Sequence, residues 1–179
     1  MKTGTQESQS AVIDAEVLEV ARMAFQYARG GNATELAAIL DAGLPANLRN
    51  ERGDTLLMLA SYHGHVDATR VLLEHKADPE RTNDRGQTPL AGCAFKGDLA
   101  MARLLLDHGT QVDGAGPDGK TALMFAAMFD RVEMMEELIS RGAIPERRDA
   151  EKRTALDYAR AMGAHRAAER LAALQQTPA

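Results

Sequence analysis

The chain has 179 residues, 45% of them hydrophobic, and sets 21 Lys and Arg against 26 Asp and Glu for a net charge of −5. That acidic balance argues against duplex DNA or an anionic membrane surface as the main partner, because both bind through a basic footprint. The one cysteine, Cys93, excludes an internal disulfide and fits a reducing compartment, and no apolar run reaches the roughly 18 residues a membrane span needs, so a cytoplasmic protein is expected.

Aromatic residues make up only 4% and there is no Trp, so the core must come from Ala, Leu, Ile, Val and Met. Residues 1–10 are polar and read as a disordered tail. The apolar stretch after them is interrupted by Asp14, Glu16 and Glu19 and does not read as a signal peptide. From Ala11 to Arg29 there is no Gly or Pro. Ile13, Val17, Val20, Ala21, Ala24 and Ala28 fall at helical spacing and predict one long helix with an apolar face. Gly30-Gly31 ends it. Asn32 is expected to cap a second helix that turns Leu36, Ile39 and Leu40 inward, and Gly43 closes that helix.

The next stretches repeat. Thr55, Thr88, Thr121 and Thr154 each stand 33 residues after the last, and Leu57, Leu90, Leu123 and Leu156 keep the same step. Gly31, Gly64, Gly97 and Gly163 share a register in which Asp130 replaces the fourth-repeat glycine. A fixed period of this length means stacked repeats. Each Thr is a good N-cap, its hydroxyl accepting an unpaired N–H of the first turn. Pro89 then sits at the first helical position, where its missing N–H costs nothing. Gly97 can end that helix with positive φ, and Asp98 caps the helix Leu99 to His108. Ridges follow at Val71-Leu72-Leu73, Leu104-Leu105-Leu106 and Leu138-Ile139. The units run about 17–49, 50–82, 83–115, 116–148 and 149–175, one repeat domain over 11–175. The first lacks the Thr-x-Leu opening. The last carries Arg166, Glu169, Arg170 and Gln175, the polar outer face of a terminal cap.

Between helix pairs lie turn-rich segments with Pro79, Asn83, Asp84, Gly114, Gly116 and Pro117, expected to project as fingers. Asn50, Asn83 and Asp149 share one register position, where the fourth repeat has Gly116. That finger is expected to be looser.

Gly86-x-Thr88-Pro89-Leu90, Gly97-Asp98-Leu99 and Leu104-Leu105-Leu106-Asp107-His108-Gly109 resemble the ankyrin repeat. The resemblance covers about residues 20–175 in five units. It implies an all-α solenoid of about five stacked helix-turn-helix repeats with β-turn fingers and a concave face lined by fingers and first helices. It further implies a protein-protein interaction module, a non-catalytic adaptor or regulator. The wording of the repeats is similar to small bacterial cytoplasmic ankyrin proteins. Some relatives of that kind accompany catalases, so the resemblance suggests an oxidative-stress enzyme such as catalase as partner. One departure stands out. The family's His after Thr-Pro-Leu is replaced by Met58, Ala91, Met124 and Asp157, so packing must substitute for its hydrogen bonds in three of the four.

Three chemical signals compete with this reading. Gly114-Ala115-Gly116-Pro117-Asp118-Gly119-Lys120-Thr121 matches G-x-x-x-x-G-K-[ST], the loop whose N–H groups cradle phosphate, and offers nucleotide binding as the alternative function. A helix and a turn precede it, not the required strand. Gly119 and Thr121 are already explained by the repeat, and Asp118 would repel phosphate. His63, His65, His75 and Cys93 could suggest a metal site, but zinc needs about four convergent ligands, and no metal or cofactor is expected. Glu133, Glu136 and Glu137 read as a solvated helix face, and Arg147, Arg148 and Arg153 as a small basic spot near the last finger.

The strongest functional signal is a stripe before the inter-helix glycine: Tyr62-His63, Phe95-Lys96, Met128-Phe129 and Ala161-Met162. In the ankyrin arrangement it borders the concave groove. Aromatic and Met clusters serve as interface anchors. The alternative is that they pack between repeats as core. The expected partner-binding residues are Tyr62, His63, Phe95, Lys96, Met128 and Phe129 on the stripe, with Arg52, Arg85, Gln87 and Lys120 on the fingers. Together they face a protein across repeats two to four.

Overall fold

The computed structural model describes residues 4–176, with side chains from 16 to 175. Ten α-helices among them pair antiparallel: α1 (Gly4–Gly30) with α2 (Ala33–Asp41), α3 (Leu56–Tyr62) with α4 (Val66–Glu74), α5 (Pro89–Lys96) with α6 (Leu99–Asp107), α7 (Ala122–Met128) with α8 (Val132–Ser140), and α9 (Ala155–Ala161) with α10 (His165–Gln176). The first helices of the pairs pack in one row and the second helices in another. This is an all-α solenoid of five stacked helix-turn-helix repeats.

Threonines start the inner row as their spacing predicts. Oγ1 of Thr55, Thr88 and Thr121 accepts from the amides of Met58, Ala91 and Met124 at 3.1, 3.2 and 3.4 Å. At Thr154 the residue three places on is Asp157, whose carboxylate returns a bond to the Thr154 amide at 2.8 Å and closes a capping box. Leu57, Leu90, Leu123 and Leu156 are all buried. Met58, Ala91 and Met124 are buried too, so apolar packing fills the place of the family's histidine. Outer helices bury every fourth residue, as in Ala68 with Leu72, Met101 with Leu105 and Met134 with Leu138, the one-sided pattern of an amphipathic helix.

Gly97 ends α5 at φ 78°. Asp130, the non-glycine in that register, also turns left-handed, at φ 54°. Aspartate tolerates this conformation better than most residues, and the Asp130 carboxylate accepts from the Ala167 amide at 2.7 Å. Between repeats, the Oδ1 atoms of Asn50, Asn83 and Asp149 each accept two backbone amides of their own finger.

Four expectations need correcting. First, α1 begins at Gly4, so helix extends into the stretch read as a disordered tail, whose first three residues lie outside the described residues. No helix breaker interrupts the chain between Gly4 and Gly30. Second, its apolar face is packed only in part: Ala24 and Ala28 are buried, while Val17 and Leu18 are exposed. Third, Asn32 stands at the N-cap of α2 without a side-chain capping bond. Fourth, the finger at Gly116 is tight. A Cβ there would lie 2.1 Å from the Gly86 carbonyl oxygen, so only glycine lets the two fingers meet. The Asp84 amide donates to Arg52 O at 3.2 Å and Ala150 to Asp118 O at 2.9 Å. Pro117 holds the equivalent place and has no N–H to give, so close approach stands in for that bond.

Among the described residues no helix is long and apolar enough to cross a membrane.

Candidate functional site

A groove of about 1070 Å³ runs along the concave side, walled by α1, α3 and α5 and roofed by the first two fingers. The inner helices are short and the fingers overhang them, so the last turn of each helix and the finger tips face the same space. Tyr62, His63, Phe95, Arg52, Arg85 and Gln87 all line it, as the sequence predicts. Tyr62 is 44% exposed and Phe95 36%. They are surface, which decides against the core alternative for these two.

The remaining expected residues divide. Phe129 is also exposed, and its ring meets that of Phe95 edge-on at 4.5 Å, a favourable aromatic geometry. Met128 is half-buried and packs on the core, so that part of the stripe is structural. Lys96 donates from Nζ to the Tyr62 carbonyl oxygen at 2.6 Å and lies 5.0 Å from the Tyr62 ring centroid. Lys120 is ion-paired to Asp118 at 2.9 Å. The residues lining the groove come from the first three repeats, and Phe129 of the fourth continues its apolar surface.

Sequence reading missed the α1 wall: Leu18, Arg22, Phe25 and Arg29, with Arg49 and Glu51 from the first finger. A signal existed for one of them. Arg29 precedes Tyr62 by one 33-residue period and so belongs to the stripe. Phe25 and Arg22 follow from helical spacing once Arg29 is placed. Arg49 is bound to Asp84 at 2.9 Å and Arg22 to Glu19 at 3.0 Å. Among the described residues, Arg29, Arg52 and Arg85 have no ion-pair partner. Burial, helped by the charges of neighbouring His65 and Arg29, holds His63 below the usual histidine pKa.

Most of the residues behind the other candidate chemistries have partners within the fold. Both the amide and the ammonium of Lys120 donate to the Asp118 carboxylate, and a Cβ on Gly119 would lie 3.1 Å from the backbone of Asp149 and Ala150. The P-loop-like segment is a finger whose own carboxylate takes the donors a phosphate would need. Among the described residues no group of three His, Cys, Asp or Glu is placed to hold a metal. His65 Nε2 donates to the Arg29 carbonyl at 2.8 Å. Cys93 is buried, and burial pushes its thiol pKa up to about 12, far from the reactive range. Glu133, Glu136 and Glu137 pair with Arg166, Arg170 and Arg103, tying outer helices together. Arg148 donates to the Lys152 carbonyl, and Arg153 lies over the Tyr158 ring, so the basic spot is largely internal to the last repeat.

A family model described as ankyrin repeats (3 copies) matches residues 24–116 and 111–177. Ankyrin repeat protein PA3287 of Pseudomonas aeruginosa is 52% identical over 59 residues, which is 33% of this chain and 34% of that protein. Ankyrin repeat domain-containing protein 63 of Mus musculus is 48% identical over 44 residues, 25% of this chain and 11% of the relative. Ankyrin repeat domain-containing protein 29 of Homo sapiens is 42% identical over 60 residues, 33% of this chain and 20% of the relative. Each match thus spans about a third or less of the relative's length. With the family model covering well over half of its residues, this chain belongs to the ankyrin repeat family.

Proposed function

We propose that this protein is a non-catalytic adaptor or regulator that holds a partner protein in its concave groove. Ankyrin repeats are in general protein-interaction modules, and repeat stacks present extended concave surfaces. One observation carries the reading: Tyr62 and Phe95, aligned on adjacent repeats, stand exposed in a groove of about 1070 Å³. Exposed aromatic residues in a concavity are where interface energy concentrates. Phe129 extends the apolar surface past the groove, and Arg52, Arg85 and Gln87 orient the partner from the fingers. A cytoplasmic setting accords with a single cysteine that no disulfide uses.

The test is comparative capture. Wild-type, Tyr62→Ala/Phe95→Ala and Arg70→Ala proteins are used as baits in native lysate, with catalase the first partner to probe. Proteins held by the wild type and Arg70→Ala and lost from the double variant support the groove. Partners retained by the double variant but lost with Arg70, an exposed residue of outer helix α4, would place binding on the convex side.

A further inference from the structure

We infer that the segment taken by this groove is acidic, a stretch of partner polypeptide with Asp or Glu beside an apolar side chain. The inference rests on the docking reading above and specifies the partner's chemistry. The protein is acidic overall, yet five arginines line the groove against two carboxylates, Glu51 and Asp54. Asp54 is half-buried and its Oδ1 accepts from the Asn83 side-chain amide at 2.9 Å, while Glu51 is exposed. Two of the arginines are satisfied internally, Arg22 by Glu19 and Arg49 by Asp84. That leaves Arg29, Arg52 and Arg85 exposed around one concavity without an ion-pair partner among the described residues. Burial holds His63, which also lines the groove, below the usual histidine pKa.

Elsewhere the molecule pairs its arginines across repeats, as in Arg103–Glu137, Arg141–Asp107 and Arg166–Glu133. Arg70, Arg131, Arg147, Arg148 and Arg160 also lack an ion pair among the described residues, but the groove gathers three such arginines around one concavity. Guanidinium groups left open beside aromatic faces suit a carboxylate bound in a two-pronged fashion. Tyr62, Phe95 and Phe25 then receive the neighbouring apolar side chain. Charge complementarity of this kind steers association and fixes register. A polynucleotide fits less well, because a chain of continuous negative charge would meet the net −5 of the whole protein.

A library of random dodecapeptides displayed on phage is selected against the wild-type protein, and enriched peptides are measured by fluorescence polarisation at about 0.15 M salt. Expected is enrichment of Asp or Glu next to an aromatic or aliphatic residue, with affinity falling about tenfold or more in Arg29→Gln/Arg52→Gln/Arg85→Gln. Circular dichroism confirms that this variant stays folded, as its changes are all at exposed positions. Should enriched peptides need Tyr62 and Phe95 but show no acidic preference and bind the triple variant normally, the groove stands and this inference fails. Peptides indifferent to Tyr62→Ala/Phe95→Ala would overturn both. Tight binding of single-stranded polyuridylate, lost in the triple variant, would show that the arginines read phosphate and would overturn the acidic-peptide assignment.

Discussion

Lys96 reaches back one repeat and donates from Nζ to the carbonyl oxygen of Tyr62 at 2.6 Å. The two other carbonyls in the Tyr62 register also accept from the following repeat, there from a donor 36 rather than 34 residues on. His65 Nε2 meets Arg29 O at 2.8 Å, and Arg131 Nε meets Phe95 O at 3.4 Å. The carbonyls belong to the last turns of α1, α3 and α5, where helix acceptors lack intrahelical partners and the dipole is negative. A cation or imidazole from the following repeat supplies the donor. The capped residues, Arg29, Tyr62 and Phe95, are those whose side chains face the groove. The capping row thus ties each position of the exposed stripe to the repeat that follows it.

Lys96→Met keeps the aliphatic stem and removes the donor. It should lower stability by about 0.5–1 kcal/mol, the scale for an exposed charge-assisted contact. The urea midpoint measures this. An unchanged midpoint would mean the cap contributes nothing.

Leu90→Ala and Leu123→Ala should each cost about 2–5 kcal/mol, since both side chains are almost wholly buried and truncation leaves a cavity. A loss under about 0.5 kcal/mol, the scale of surface substitutions, would contradict the packing described.

Gly116→Ala tests the contact between the second and third fingers. The backbone there lies outside the left-handed region, so the effect is steric: the new methyl meets the Gly86 carbonyl. Destabilisation of about 1–3 kcal/mol is expected, as for overpacking elsewhere. Equilibrium denaturation gives the value, and a neutral result would show the fingers free to separate.

How much of this was legible follows from the range of each interaction. Thr55, Thr88, Thr121 and Thr154 cap helices through atoms three residues away, so spacing alone located them. The 33-residue step placed Tyr62 and Phe95 on one face. Gly116 misled because its reason lies in Gly86, thirty residues earlier. Lys96 looked free because its partner, Tyr62 O, lies one repeat back, and Lys120 because its pairing with Asp118 depends on finger geometry that residue type does not reveal. The α1 wall was missed because the first repeat has no Thr-x-Leu marker, although Arg29 keeps the register.

Protonation of His75 should stabilise the first two repeats. Both ring nitrogens face oxygens, Nε2 against Asp41 at 3.0 Å and Nδ1 against Val71 O at 2.7 Å, so the imidazolium donates to both. The Asp41 hydrogen bond leads in raising the His75 pKa above 6.5. A raised folded-state pKa gives stability fully present below the unfolded value and lost as pH rises through the folded one. Wild type should therefore lose more stability than Asp41→Asn between about pH 5.5 and pH 8.5. Equal slopes in urea titrations of the two proteins would remove His75 from the account.

Calorimetry with Mg²⁺ and ATP should show no saturable binding, because Asp118 occupies the Lys120 amide and ammonium. Saturable binding lost in Lys120→Ala would restore the nucleotide reading.

The central claim is that the concave stripe holds the partner. Its most direct test is the affinity of the captured partner for purified wild type, Phe95→Ala and Arg70→Ala, each shown to be folded. Phe95→Ala should weaken binding by about 2 kcal/mol, roughly thirtyfold, and Arg70→Ala should leave it unchanged. Normal binding by Phe95→Ala together with loss in Arg70→Ala would put the partner on the outer helices and contradict the assignment.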